Sequence, residues 1–251
     1  MSSWSKRRKF TYSSIIVLVL LAIIGVPAFY LFYKAPTCSD GMKNGDEQGV
    51  DCGGSCQRLC PSAFLTPSVS WSRFEQVAPG LYNVASYIIN PNMDAEAVNV
   101  PYHFALYDKT GMLIVDHTGT VTLPPHRNTL AFQPAVSIGK SIPAKALFEF
   151  TQIPDWHKRV DPLPALIIAD KKYLEDDSGS SLTVTLKNSS VNPIDRLAVY
   201  AVLYDKDGNA LGFSKTIVDE VPPEGTAIAP FTWPVSHKGA VISIEVLPVA
   251  E

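Results

Sequence analysis

The chain has 251 residues and a formal net charge of −3 from 24 acidic and 21 basic side chains, with 20 prolines and four cysteines. That length suits one large or two small domains with enough apolar residues to bury real cores. The charge is unevenly divided: residues 1–34 hold five cations and no acid, so the remainder carries −8, which argues against nucleic acid or a broad anionic lipid surface as its partner.

Lys6, Arg7, Arg8 and Lys9 form a basic cluster, and no charged residue occurs from Phe10 to Tyr33. A helix over residues 11–33 is long enough to cross about 30 Å of hydrocarbon. The positive-inside rule keeps the basic tail, residues 1–10, in the cytoplasm and exports the rest, making a single-pass protein of the cell membrane. Gly25 and Pro27 fall in the outer third, and Phe29, Tyr30, Phe32 and Tyr33 have the character of an outer aromatic belt. The competing reading is a cleaved signal peptide cut near Val26-Pro27-Ala28; the adjacent proline and the continuing apolar run argue against it.

Residues 34–62 contain Cys38, Cys52, Cys56 and Cys60 among glycines and polar side chains. An even number of cysteines in an exported segment predicts two disulfides in one of three pairings. Asp40, Asn44, Asp46, Glu47 and Asp51 alternate with Gly41, Gly45 and Gly49, which gives hard oxygen ligands interleaved with turn-forming residues. Two readings follow: a disulfide-stapled spacer with solvated acids, or a calcium loop whose spacing is not that of an EF-hand. A zinc or iron–sulfur reading of Cys52, Cys56 and Cys60 fits a reducing compartment better than an exported segment. The string from Asp40 to Gly54 resembles a cysteine-containing segment recurrent in bacterial surface proteins, which implies an exported module near a domain boundary.

Beyond a short linker, the chain repeats itself. Leu106-Tyr107-Asp108-Lys109-Thr110-Gly111 recurs as Leu203-Tyr204-Asp205-Lys206-Asp207-Gly208, offset by 97. Asn90-Pro91 corresponds loosely to Asn188-Ser189, and Pro124-Pro125 to Pro222-Pro223. Each copy has a strand of alternating apolar residues (Val100 to Leu106; Leu197 to Leu203), a glycine turn and further strands. This period is that of a small β-sandwich, so the expected fold is all-β: a first sandwich over 63–155, a linker over 156–164 and a second sandwich over 165–251. Trp156 in the linker is expected to seat the sandwiches against each other. Asn188-Ser189-Ser190 fits a glycosylation sequon, relevant only to a eukaryotic secretory pathway.

Phe104-Ala105-Leu106-Tyr107-Asp108, with its glycine turn, resembles the signature of the FxLYD domain family. The second copy keeps Leu203, Tyr204, Asp205 and Gly208 and has Ala201 in place of the phenylalanine. The resemblance covers about 170 residues. It implies tandem immunoglobulin-like sandwiches in exported or membrane-anchored prokaryotic proteins, and it brings no catalytic residues. On physical grounds Tyr107 and Tyr204 pack in the sheet, while Asp108 and Asp205 cap their turns.

The five histidines, His103, His117, His126, His157 and His237, are not at metal-ligand spacing. Asp116-His117 alone suggests a base with its orienter, but no Gly-x-Ser-x-Gly nucleophile or phosphate-binding loop accompanies it. The expected function is a non-catalytic interaction or scaffolding module of the cell envelope, with envelope proteins or surface polymers as partners. A calcium-dependent adhesin or sensor is the alternative, and an enzyme a distant third.

Overall fold

The computed structural model describes residues 3–32, 35–160, 163 and 165–250. Tyr33 at the end of the expected anchor, Lys34 at the start of the expected cysteine segment, and Asp161, Pro162 and Pro164 of the expected linker lie outside the described residues. The chain divides into two compact units, Met1–Cys56 and Gln57–Glu251.

In the first unit, α1 (Ser3–Phe32) runs through Pro27, and within its stretch Arg7–Tyr30 the most apolar 18 residues have a mean hydropathy of 2.4. That stretch is long and apolar enough to cross a membrane. Ile15 to Leu21, Ile23 and Ile24 are exposed around the helix, the pattern of a segment suited to lipid on every side. Residues 35–56 follow as a series of turns.

The second unit is antiparallel β throughout. The first half comprises β1 (Ser68–Ala78), β2 (Leu81–Ile89), β3 (Ala95–Tyr107), β4 (Leu113–Leu123), β5 (Asn128–Ser137), β6 (Lys145–Phe150) and the short β7 (His157–Lys158). The second half comprises β8 (Leu166–Asp176), β9 (Gly179–Asn188), β10 (Ile194–Tyr204), β11 (Ala210–Val221), β12 (Thr226–Trp233) and β13 (Ser243–Ala250). Sheets β1-β2-β5 and β4-β3-β6 enclose one core, which includes Val84, Ile88, Tyr102, Phe104, Leu106 and Leu123. Sheets β12-β9-β8 and β11-β10-β13 enclose another, with Leu182, Leu186, Leu197, Leu203, Phe231 and Trp233. Each fully buried large side chain contributes roughly 1.5–3 kcal/mol.

A third core joins the halves. Ala85, Tyr87 and Leu130, on the outer face of β1-β2-β5, pack with Ala198, Tyr200, Val202, Phe213, Leu247 and Val249 on the outer face of β11-β10-β13. Strands β2 and β10 are therefore buried on both faces, and β10 is buried continuously from Leu197 to Leu203.

Two expectations are corrected here. Trp156 does not seat the halves against each other: it is 1% exposed inside the first core, with its ring centroid 5.6 Å from that of Phe64. The cysteine segment also ends earlier than residue 62. Gln57 to Cys60 belong to the β unit, where Lys158 N donates to the Gln57 carbonyl, Leu59 N to the Trp156 carbonyl, and Arg58 pairs with Asp155 at 2.8 Å.

Candidate functional site

The cysteine loop folds on its own polar groups. Cys38 is bonded to Cys56, and Cys52 and Cys60 are also disulfide-bonded, leaving no thiol. Both Asp51 carboxylate oxygens accept from Gly41 N, at 3.1 and 3.0 Å. Asp40 accepts from Thr37 N, Met42 N and the Asn44 side chain. Glu47 Oε2 accepts from Asn44 N and Asp51 N, and Asp46 accepts from the Ser55 hydroxyl at 2.8 Å.

The structure thus uses carboxylates of the candidate calcium ligands Asp40, Asp46, Glu47 and Asp51 in bonds that close the loop, while Asn44 donates through its side-chain nitrogen and its Oδ1 is buried without a hydrogen-bond partner among the described residues. Among the described residues, the group of side-chain donor atoms that converges is Cys38, Glu47 and Cys56. Its two sulfurs are joined in a disulfide and offer no thiolate, so the chemistry does not suit a metal.

The repeated turns are built alike. Asp108 Oδ1 accepts from Thr110 N, the Thr110 hydroxyl and Met112 N. Asp205 accepts from Asp207 N, Asn209 N and the Asn209 amide. The Thr110 hydroxyl bond leads in holding the Asp108 carboxyl below its ordinary range, and the Asn209 side chain does the same for Asp205. Gly111 and Gly208 sit at φ of 83° and 77°, a region that glycine occupies without strain. Phe104 and Leu106 lie in the first core and Leu203 in the second, whereas Tyr107 and Tyr204 are half-buried.

Sequence reasoning missed the polar groups at the junction. Glu245 on β13 accepts from Tyr87 of the first half at 2.7 Å and from Tyr204 of the second at 3.0 Å. Burial, followed by the adjacent Glu245 charge, pushes both phenols well above their ordinary range. Tyr102, deep in the first core, is pushed up to about 12 by burial. Glu75 and His237 meet across the same junction, 3.3 Å apart. A tyrosine-rich strand and an acid far along the chain carry no local signal of partnership.

Asp116 pairs with His103 at 3.4 Å rather than orienting its neighbour His117, and Glu149 lies 3.2 Å from the other nitrogen of His103. This trio is a cross-strand charge cluster on β3, β4 and β6, without a serine or cysteine nucleophile among the groups bonded to it. A cleft of about 450 Å³ opens between the halves, lined by Asn99, Thr120, Thr122, Tyr200 and Lys215 above the apolar Val121, Ala198 and Val249.

No family model and no curated protein matches the chain. A solved structure of a candidate beta-galactosidase from Bacteroides fragilis is similar at 14% identity and a TM-score of 0.20, over 69% of this chain. The chain spans about a third of that protein's length, 33%.

Proposed function

We propose that this chain is a single-pass membrane protein that displays its β unit outside the cell as a non-catalytic interaction or scaffolding module of the envelope. The observation that carries this reading is the order of features at the N-terminus. A basic cluster precedes an uncharged helix of membrane-spanning length, and fully oxidised cysteines follow it. Lys and Arg on one flank orient such a helix, and disulfides persist on the oxidising side. The FxLYD-like turns and the two-sheet halves support immunoglobulin-like sandwiches as the displayed elements. The cleft between the halves, with one cation and no acid in its lining, offers a surface for envelope proteins or surface polymers.

The test is protease treatment of intact spheroplasts expressing the chain with an N-terminal tag. Digestion of the β unit, with a protected tagged fragment that includes the helix, is the expected result. A β unit that resists protease until lysis, or a mature chain that begins after Ala28, would overturn it.

A further inference from the structure

Strand β1 turns one face toward the second half, and that face carries Trp71, Arg73 and Glu75. The Trp71 ring lies 6.1 Å from that of Phe213, and Arg73 Nη2 donates to Asn209 at 3.5 Å. Glu75 reaches His237, which sits between β12 and β13, with Oε1 3.3 Å from Nε2. Both side chains are buried, at 6% and 9% exposure.

The surroundings hold the imidazole closely and give the carboxylate little else. A Cβ on Gly212 would approach Trp233 to 3.0 Å and the His237 ring to 3.1 Å, so glycine at this β11 position makes room for the ring. Both Glu75 carboxylate oxygens, His237 Nδ1 and Trp233 Nε1 are buried without a hydrogen-bond partner among the described residues, so Glu75 and His237 meet as an ion pair at 3.3 Å. The other charged groups nearby have partners. Glu175 of β8 accepts from Gly239 N and the Tyr173 hydroxyl and adds negative potential near the ring. Lys238 is turned to Asp177 at 2.7 Å, and Arg73 to Asn209. The counter-charge available to Glu75 at bonding distance is thus the imidazolium of His237.

We propose that Glu75 and His237 form a proton-dependent clasp that closes the β1 flank of the junction when the ring is protonated and loosens it when the ring is neutral. A carboxylate paired in an apolar interface is tolerated, whereas the same carboxylate left bare is strongly disfavoured there. The Glu75 contact, opposed by burial and helped by the nearby Glu175 charge, raises the ring's affinity for its proton above the ordinary histidine value. The clasp is therefore fully closed below that ordinary value and is lost as pH rises through the higher folded-state value. The apolar junction and the Tyr87–Glu245–Tyr204 contacts do not depend on this proton, so the flank yields before the whole junction does.

Hydrogen exchange on the full chain in detergent micelles, corrected for intrinsic rates and followed from about pH 5.5 to about pH 8.5, tests this. β1 amides from Arg73 to Val77 are expected to lose protection as pH rises, by on the order of tenfold for each pH unit between the folded-state and ordinary ring values, while β3 and β9 keep theirs. In Glu75→Gln the dependence should vanish, and the His237 ring should titrate at lower pH by NMR. Protection in β1 that is unchanged across this range in the wild-type chain would overturn the proposal, and that measurement requires no variant to fold.

Discussion

Asn90 and Asn188, 98 positions apart, make the same bonds in the two repeats. Each side-chain amide donates to two carbonyls, Ala95 and Pro124 in the first copy and Asn192 and Val221 in the second. Each side-chain carbonyl accepts from the amide two residues on, Asn92 or Ser190. The amides of His126 and Glu224, both at positive φ, then close onto the carbonyls of Asn92 and Ser190. Both asparagines are buried, at 5% and 0% exposure, so each pins a strand end to the crossing loop, and the sequon at Asn188 has no room for a glycan.

Replacing either asparagine with alanine strands two buried carbonyls and one amide, and the expected cost is about 2–4 kcal/mol. Asparagine-to-aspartate should recover little, because the lost group is the donor. Urea unfolding of the single variants measures both.

Tyr87→Phe or Tyr204→Phe should each destabilise the β unit by about 1 kcal/mol, reduced from the full value of a charged hydrogen bond by partial exposure. Glu245→Ala should cost more than either, and a double-mutant cycle between Tyr87 and Glu245 should show positive coupling. Both phenols are held protonated in the folded chain while an unfolded chain ionises near pH 10, so their contribution is intact below that pH and is lost above it. Phenolate absorbance in an alkaline titration should rise together with unfolding, not before it.

The turn aspartates act at the other end of the scale. Asp108 and Asp205 are depressed in the folded chain, so their stabilisation is present above the ordinary carboxylate value and lost as pH falls through the lower folded value. Asp108→Asn should flatten the acid limb of the stability curve below about pH 4, as followed by circular dichroism.

In the cysteine loop, Gly54 sits at φ 58° with the Asp46 carbonyl where a side chain would begin. Gly54→Ala should break the loop by both strain and collision. Cys56→Ser should remove about 2–4 kcal/mol of local constraint and expose residues 38–56 to protease. Limited proteolysis read by mass spectrometry resolves the two effects.

The strands and their glycine turns were legible because each half follows a two-residue period on the face toward its own core. Leu197, Val199, Ala201 and Leu203 show it plainly. The third core is not legible from that period alone, because Ala198, Tyr200 and Val202, the residues between them, are just as apolar. A run with no polar alternation marks a strand covered on both sides. Trp156 misled because prolines and charges around it read as a linker, while its ring enters the first core. In the cysteine loop the spacing of the acids fits metal ligands as well as it fits turn caps, and the backbone amides that occupy Asp40, Glu47 and Asp51 carry no signal in the sequence.

The third core also fixes where the chain can be cut. Either repeat expressed alone would present to water the outer sheet face it now buries, carrying Tyr87 and Leu130 in one case and Tyr200, Val202 and Phe213 in the other. A patch of that kind on an isolated domain invites self-association. The two repeats, alike in plan, are therefore halves of one folded object and not interchangeable beads. Soluble fragments of this protein should begin before Gln57 and keep both.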